Sequence, residues 1–503
     1  MSHWIIAPVV LPAILAPLIV LAGRRSLLAQ RLAGVLGAVA LLGIAVGLMV
    51  QADSGTVGAY FLGGWPAPFG IVLVVDRLAA LMLVLTAVLA LVVVGYAICT
   101  AWDARGRHFH GLMLFQVMGL NGAFLTGDLF NLFVFFEVLL IASYGLMIHG
   151  GGRDRLRAGV QYVAYNLVGS VLFLFALATI YAITGTLNMA DLAGKVAALP
   201  AGDHALARVA LVLLIMVFAI KAALVPFHFW LPLTYGNAPG PVAALFAVLT
   251  KVGAYAMIRT LTLIFPGETP ATGALAQGLI LPAAVLTLGV GAVGILGARQ
   301  MTRLAAFAAI ASIGTVFVAL APLSQKALAA GLYYISHSTL AVAALFLVTD
   351  QIVTRRGSDD LRRALPPMAG GGALAALFFA GALAVAGMPP LSGFLGKLMI
   401  LDAQRGPGMG LVWTVVLATT LVIVLGLARA GSLLFWKAQE AGAVPGARRG
   451  SGLSLALVAG LMVLLAGLTI WAGPAMRYMT ATAAQLLAPA AYIAANRLPG
   501  TAP

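Results

Sequence analysis

The sequence predicts an all-α polytopic membrane protein, and three observations predict it. Of 503 residues, 62% are hydrophobic and only 9% are charged, where a soluble domain carries about 25% charged residues. Mean hydropathy is +1.08, so lipid and not water must cover most of the surface. Apolar stretches of the length a bilayer needs, about 20 residues, recur along the whole chain. The basic residues fall in short clusters between those stretches.

Hydropathy places spans near 4–23, 31–51, 77–99, 109–126, 128–148, 160–185, 206–226, 239–265, 276–298, 303–321, 326–349, 369–401, 411–436 and 451–474, about fourteen in all. The expected organisation is one membrane domain over 1–503. It comprises N-terminal spans in 1–108, a first five-helix unit in 109–265, a second in 276–437, and a last span with a tail in 451–503. The N-terminus lacks a basic leader region, and Arg24-Arg25 follow its first apolar run, so that run reads as a retained span and not a signal peptide.

A net charge of +15 would fit a nucleic-acid binder if the basic residues formed one patch. They are instead dispersed over alternate loops: Arg24-Arg25, Arg105 and Arg107, Arg153-Arg155-Arg157, Arg299 and Arg303, Arg355-Arg356, Arg362-Arg363, and Arg448-Arg449. The intervening loops 52–76 and 266–275 hold no Arg or Lys, and 186–205 holds only Lys195. Cytoplasmic loops retain positive charge. With an even span count, both termini are expected on the non-cytoplasmic side. Cys99 is the single cysteine, which excludes an internal disulfide.

Two spans carry helix-breaking sequences. In the seventh, Lys221 precedes Pro226-Phe227-His228-Phe229-Trp230-Leu231-Pro232; in the twelfth, Gly387-Met388-Pro389-Pro390 precedes Lys397. Proline removes a backbone donor and clashes with the preceding turn. Backbone freed inside a membrane must find partners in protein or in a wet cavity. Broken spans in corresponding positions point to inverted repeats around a pathway. The expected repeats are spans 4–8 and 9–13, with broken helices 7 and 12.

Five titratable groups lie well inside spans: Glu137, Lys221, Lys251, His337 and Lys397. Each charge at the bilayer centre costs at least about 2.5 kcal/mol on insertion scales. One glutamate paired with one lysine could simply hold helices together, but three lysines outnumber one acid. Desolvation penalises an unpaired ammonium, and groups that exchange a proton readily are what a relay needs. Ion transport is therefore the expected role. His228, beside the first break, either lines a cavity or satisfies freed carbonyls. Asp128 after Gly127 fits an ordinary helix cap. Asp402 and Arg259 lie near span ends, where snorkelling to the interface is expected. Gly289–Gly294 matches G-x-G-x-x-G inside an apolar span with no preceding strand, so close helix packing replaces a dinucleotide site. The chain shows no Walker, HExxH or clustered Cys/His pattern, so no cofactor and no metal are expected.

On these residues the sequence resembles a known family. Gly127 through Glu137 is similar to the fifth span of the antiporter-like family. Lys221 through Pro232, then Ala238 through Leu245 and Lys251, continue the likeness. That family includes the A-type and D-type subunits of Mrp-type Na⁺/H⁺ antiporters and the proton-pumping membrane subunits of respiratory complex I. The resemblance implies fourteen spans with inverted five-helix repeats. It implies a pairing of Glu137 with Lys221, a bridging role for Lys251, and proton-transfer roles for His337 and Lys397 along a hydrated axis in the membrane plane.

Leu233-Thr234-Tyr235 stands after Trp-Leu-Pro where complex I subunits commonly show an aspartate, and Lys397 stands where the complex I subunit of similar length has a glutamate. Both features resemble the D-type subunit of the Mrp-type antiporters. Partners implied are a large A-type subunit, a C-type subunit and small subunits, with H⁺ and Na⁺ (or K⁺) transported across a bacterial cell membrane. Leu340 through Ala344 lacks the lysine that many relatives carry after the histidine. The rival readings are a proton-pumping subunit of a complex I-like or hydrogenase-type oxidoreductase, and a structural membrane subunit with no ion path.

Overall fold

A computed structural model describes residues 3–368, 370–406, 408–437 and 451–496. The basic pair Arg448-Arg449 lies outside the described residues. The chain is nearly all helical. In order come α1 (His3–Leu21), α2 (Leu27–Asp53), a hairpin of β1 (Gly58–Phe61) and β2 (Val72–Val75), α3 (Arg77–Cys99), α4 (Phe109–Leu125), α5 (Leu129–Met147), α6 (Arg153–Thr184) and α7 (Met189–Ala197). Then follow α8 (His204–Ala222), α9 (Trp230–Asn237), α10 (Gly240–Arg259), α11 (Leu275–Gly297), α12 (Met301–Leu320), α13 (Gln325–Arg356), α14 (Gly371–Ala386), α15 (Ser392–Ala403), α16 (Met409–Gly431), α17 (Gly452–Ile470), α18 (Ala472–Leu487) and α19 (Ala490–Ala495).

Among the described residues, twelve helical segments are long and apolar enough to cross a bilayer; α4 and α14 are shorter apolar helices. Burial sorts the segments. The apolar windows of α10 and α13 are wholly buried and that of α12 nearly so, while α1, α2, α6, α16 and α17 expose most of theirs. A helix apolar all round is stable only inside a larger body or in lipid. α10 and α13 therefore form the centre, and polar groups placed on them are shielded from lipid by the outer helices.

The loops hold more structure than hydropathy indicates. Loop 52–76 folds back as an antiparallel hairpin, with Gly58 opposite Val75 and Phe61 opposite Val72. Loop 186–205 contains α7, capped by Asn188, whose side-chain oxygen accepts from the Ala190 and Asp191 amides. The tail beyond the last span is also helical: the Tyr478 hydroxyl in α18 donates to the Arg77 carbonyl at 2.9 Å, tying the tail to α3.

Both predicted breaks are present. α8 ends with Ala223 in the left-handed region at φ 58°, and the chain passes through a turn before α9. The twelfth predicted span divides into α14 and α15, with Gly387 at φ 71° closing α14. Gly289–Gly294 lies within α11, and a Cβ on Gly291 would stand 2.4 Å from the Ala311 amide nitrogen. Close packing of α11 on α12 is what Gly291 and Gly294 permit, against Ala311 and Phe307.

Candidate functional site: a line of buried ionisable groups

The site begins at α5. Glu137 is half-buried on its helix, and its carboxylate accepts a hydrogen bond from the Ser170 hydroxyl of α6. One turn earlier on α6, Asn166 accepts at its side-chain oxygen from Lys221 Nζ of α8, at 3.4 Å. Ser170 and Asn166 are four residues apart and so share a helix face. The resemblance implied that Glu137 and Lys221 pair; in the conformation described they interact electrostatically without direct contact. No carboxylate lies within 4.0 Å of Lys221 among the described residues. The α6 polar pair stands between the two groups. A small cavity beside Lys221 is lined by Phe136, Tyr162, Asn166 and Trp230, with Leu249 and Val252 of α10 closing it.

Lys251 sits two residues from Leu249, at the centre of α10, with no exposed surface. Its ammonium donates to the Ser312 hydroxyl of α12 at 3.0 Å. Ser312 in turn lines a second small cavity with Thr315, Tyr334, His337 and Lys397. Lys251 thus stands between the two cavities, its own helix bounding one and its hydrogen-bond partner bounding the other.

The second break organises the remaining two groups. His337 of α13 lies 2.9 Å by Nδ1 from the Ser392 hydroxyl at the start of α15, and 3.2 Å by Nε2 from the Ala384 carbonyl at the end of α14. Lys397 Nζ donates to the Ala386 carbonyl at 2.8 Å and to the Thr420 hydroxyl of α16 at 2.8 Å. The last carbonyls of a helix have no partner within it. Here two titratable side chains reach carbonyls at the end of α14. At the first break an indole does so: Trp230 Nε1 donates to the Ile220 carbonyl at 3.0 Å. The Val225 amide donates to the Thr287 hydroxyl at 2.9 Å.

The secondary candidates separate. His228 is buried and does not join the line. Its Nδ1 has no protein partner, and its ring borders a membrane-side groove with Gly289 and Thr419. Asp128 is the cap expected: its carboxylate accepts from the Asn131 amide at 2.8 Å. Asp402 is at the surface, as expected, bonded to Lys326 at 2.5 Å and Arg405 at 2.7 Å. Arg259 corrects its expectation. It does not snorkel; it is buried and donates from both terminal nitrogens to Asp76, at 2.7 and 2.9 Å.

Sequence reasoning also missed Asp350. Its carboxylate accepts from the Tyr96 hydroxyl at 2.7 Å and from Trp102 Nε1 at 3.1 Å. It was passed over because Arg355 and Arg356 follow it closely, which makes the segment read as a helix end.

Comparison with known proteins decides the family. Residues 126–423 match the family model described as NADH:quinone oxidoreductase/Mrp antiporter, TM. The chain belongs to this family. It is 40% identical to a probable K⁺/H⁺ antiporter D-type subunit of Rhizobium meliloti (strain 1021), over 97% of this chain and 96% of the relative. It is 37% identical to an Na⁺/H⁺ antiporter D-type subunit of Alkalihalophilus pseudofirmus, over 98% and 99%. Among solved structures, a chain of the Mrp complex from Dietzia sp. DQ12-45-1b superposes with TM-score 0.88 at 29% identity, covering 99% of this chain and 100% of the other. A chain of respiratory complex I from Thermus thermophilus superposes with TM-score 0.81 at 26% identity, over 96% and 99%. The antiporter-like family thus accounts for the whole length of the chain, including the outer spans beyond the matched model.

Proposed function

We propose that this chain is the D-type subunit of a multi-subunit monovalent cation/proton antiporter. In this reading it chiefly moves protons, through Glu137, Lys221, Lys251, His337 and Lys397. The chain is a secondary-transporter subunit and not an enzyme.

One observation carries the proton reading. Among the described residues, the three buried lysines hydrogen-bond only to neutral oxygens, namely Asn166, Ser312, and Ala386 with Thr420. A buried ammonium held for structure alone would be stabilised by a counter-ion, because an uncompensated buried charge is strongly destabilising. Held on neutral acceptors, the groups keep binding sites that serve both protonation states. The arrangement also argues for protons over metal cations in this chain. Carboxylates are the usual hard ligands for such cations, and Glu137 is the single carboxylate among these five groups. The cation path then belongs to a partner subunit.

The finer reading counts α4 and the broken α14–α15 pair as spans. That gives fourteen, arranged as inverted repeats over 109–265 and 276–437, flanked by 1–108 and 451–503. Both termini face the non-cytoplasmic side, with a large A-type subunit, a C-type subunit and small subunits as partners in a bacterial cell membrane. Support comes from the basic clusters on alternate loops and from the paired breaks. The test is Lys221→Ala and Glu137→Ala in the whole complex, with Na⁺- and K⁺-driven proton movement read in membrane vesicles. Loss of exchange with assembly intact supports the reading. Unchanged exchange in both variants removes ion transport from this chain and leaves a structural subunit.

A further inference from the structure

Lys251 is the first of three polar groups on one face of α10. Tyr255 and Arg259 follow at intervals of four residues, so the three lie one above another towards the end of the helix. The Arg259 guanidinium reaches Tyr255: its Nη2 donates to the phenol oxygen at 3.3 Å. The Tyr255 hydroxyl donates to the Phe124 carbonyl at 2.6 Å. Beyond Arg259 stands Asp76, the cap of α3, whose carboxylate also accepts from the Ala79 amide at 2.9 Å.

The C-terminal tail covers this cluster. The Tyr492 ring of α19 lies under the Arg259 guanidinium at 4.8 Å. Asn496 follows, close to Gly127, on the turn that carries Asp128. That turn is bonded to the hairpin, with the Gly127 amide donating to the Val72 carbonyl at 2.9 Å. The ladder therefore ends at the face where loop 52–76 and α7 lie, which is the face poor in Arg and Lys.

Three buried polar atoms in this region have no protein partner: Arg259 Nε, Thr260 Oγ1 and the Asn496 side-chain oxygen. Buried polar groups are almost always hydrogen-bonded, to protein or to ordered water. A cluster serving only as a clamp would close its donors on itself. These atoms call for water, and one turn before Arg259 on the same helix face stands the Tyr255 phenol, a group that can both donate and accept. Arg259 stays charged throughout and is a positioning residue, holding Asp76 and the phenol in place.

We propose that Tyr255, with Arg259 and Asp76, forms a port through which Lys251 exchanges protons with the non-cytoplasmic face, and that the C-terminal helix is its cover. A proton from the Lys251 side enters the phenol oxygen as the phenol's own proton turns from the Phe124 carbonyl and leaves to water at Asp76, so no charge remains on the tyrosine. The inference rests on the reading that Lys251 carries protons.

Two experiments in the assembled complex test it. Tyr255→Phe keeps the ring and removes the hydroxyl, and it lowers cation/proton exchange at least tenfold. In a Cys99→Ser background, Thr260→Cys is modified by a membrane-impermeant maleimide from the non-cytoplasmic side only. That modification blocks exchange, and Tyr492→Ala speeds it several-fold. Wild-type exchange in Tyr255→Phe, alongside loss in Lys251→Ala, overturns the port and leaves the proposed function standing. So does failure of Thr260→Cys to react from that side while it reacts after unfolding, a result that holds even if Tyr255→Phe fails to assemble. Wild-type exchange in Lys251→Ala instead defeats the underlying relay.

Discussion

At the scale of single residues, a buried lysine here is defined by what its ammonium touches. Lys251 donates to Ser312 Oγ at 3.0 Å and to no carboxylate within 4.0 Å among the described residues. Ser312→Ala removes that acceptor, and an unsatisfied buried polar group costs about 1–3 kcal/mol, more when charged. The expected outcome is a complex that assembles but exchanges protons several-fold more slowly, read as flux in vesicles. Asn166→Leu, in the same way, takes from Lys221 the side-chain oxygen it bonds; exchange falls while the α6 helix persists. The titratable residues were legible in the sequence because charge in an apolar span is rare. Their neutral partners were not. Ser170, Asn166, Ser312 and Thr420 are residue types common in any membrane helix, and they meet their partners across 33, 55, 61 and 23 residues of sequence. Arg259 was misread for the same reason. Nothing local reveals that Asp76, 183 residues away, stands opposite it.

At the scale of elements, the two breaks differ in how they are closed, and this yields separate predictions. The α14–α15 break is packed around His337. A Cβ on Gly393 would stand 2.4 Å from the Ala384 carbonyl oxygen and 2.7 Å from His337 Nε2. Backbone cannot give way as a flexible side chain does, so Gly393→Ala costs about 1–3 kcal/mol as overpacking. It also displaces the imidazole; thermal unfolding of the purified complex reads the first effect and proton flux the second. At the α8–α9 break, Ala223 holds φ 58° without being glycine, a conformation costing an L-residue about 1–2 kcal/mol. Ala223→Gly relieves that strain but gives the unfolded chain more freedom. The net expectation is a stabilisation below about 1 kcal/mol, seen as a small rise in melting temperature.

The N-terminal pair α1–α2 is held by a polar contact on Asp103, in the connection between α3 and α4. Arg31 donates to both Asp103 oxygens, at 2.6 and 3.0 Å, with His110 at 3.2 Å. Burial would raise the Asp103 carboxyl, but the hydrogen bonds from His110 and Arg31 outweigh it and hold it down at about 2. A carboxyl depressed below its unfolded value of about 3.9 stabilises the fold fully above that value. Its contribution is lost as pH falls towards 2. Asp103→Asn makes protease cleavage in the α1–α2 connection, 22–26, faster at neutral pH and removes this acid-dependent step. The breaks were legible as proline and glycine clusters beside lysines. The hairpin, α7 and the helical tail were not, because short amphipathic pieces leave little trace in a hydropathy profile.

At the scale of the whole molecule, the bundle sets its two most buried helices, α10 and α13, at the centre, and each contributes one of the five proposed proton-transfer groups, Lys251 and His337. Glu137 and Lys221 approach from the first half of the chain, Lys397 from the second. Hydropathy and the basic loops made the class and the approximate span positions legible. The order in space was not legible, because it depends on which helix faces which. The bundle supplies that order: α5, α6, α8, α10, α12, α13, α15. In the proposed relay Lys251 is the group through which the two halves communicate, and the relay stands or falls on it. The direct measurement is cation-driven proton flux in vesicles carrying the complete complex with Lys251→Ala, alongside a check that the complex assembles. A relay through this chain predicts that exchange is lost, by at least about tenfold, the factor a 1.4 kcal/mol barrier gives. Exchange at the wild-type rate in the assembled variant would contradict it.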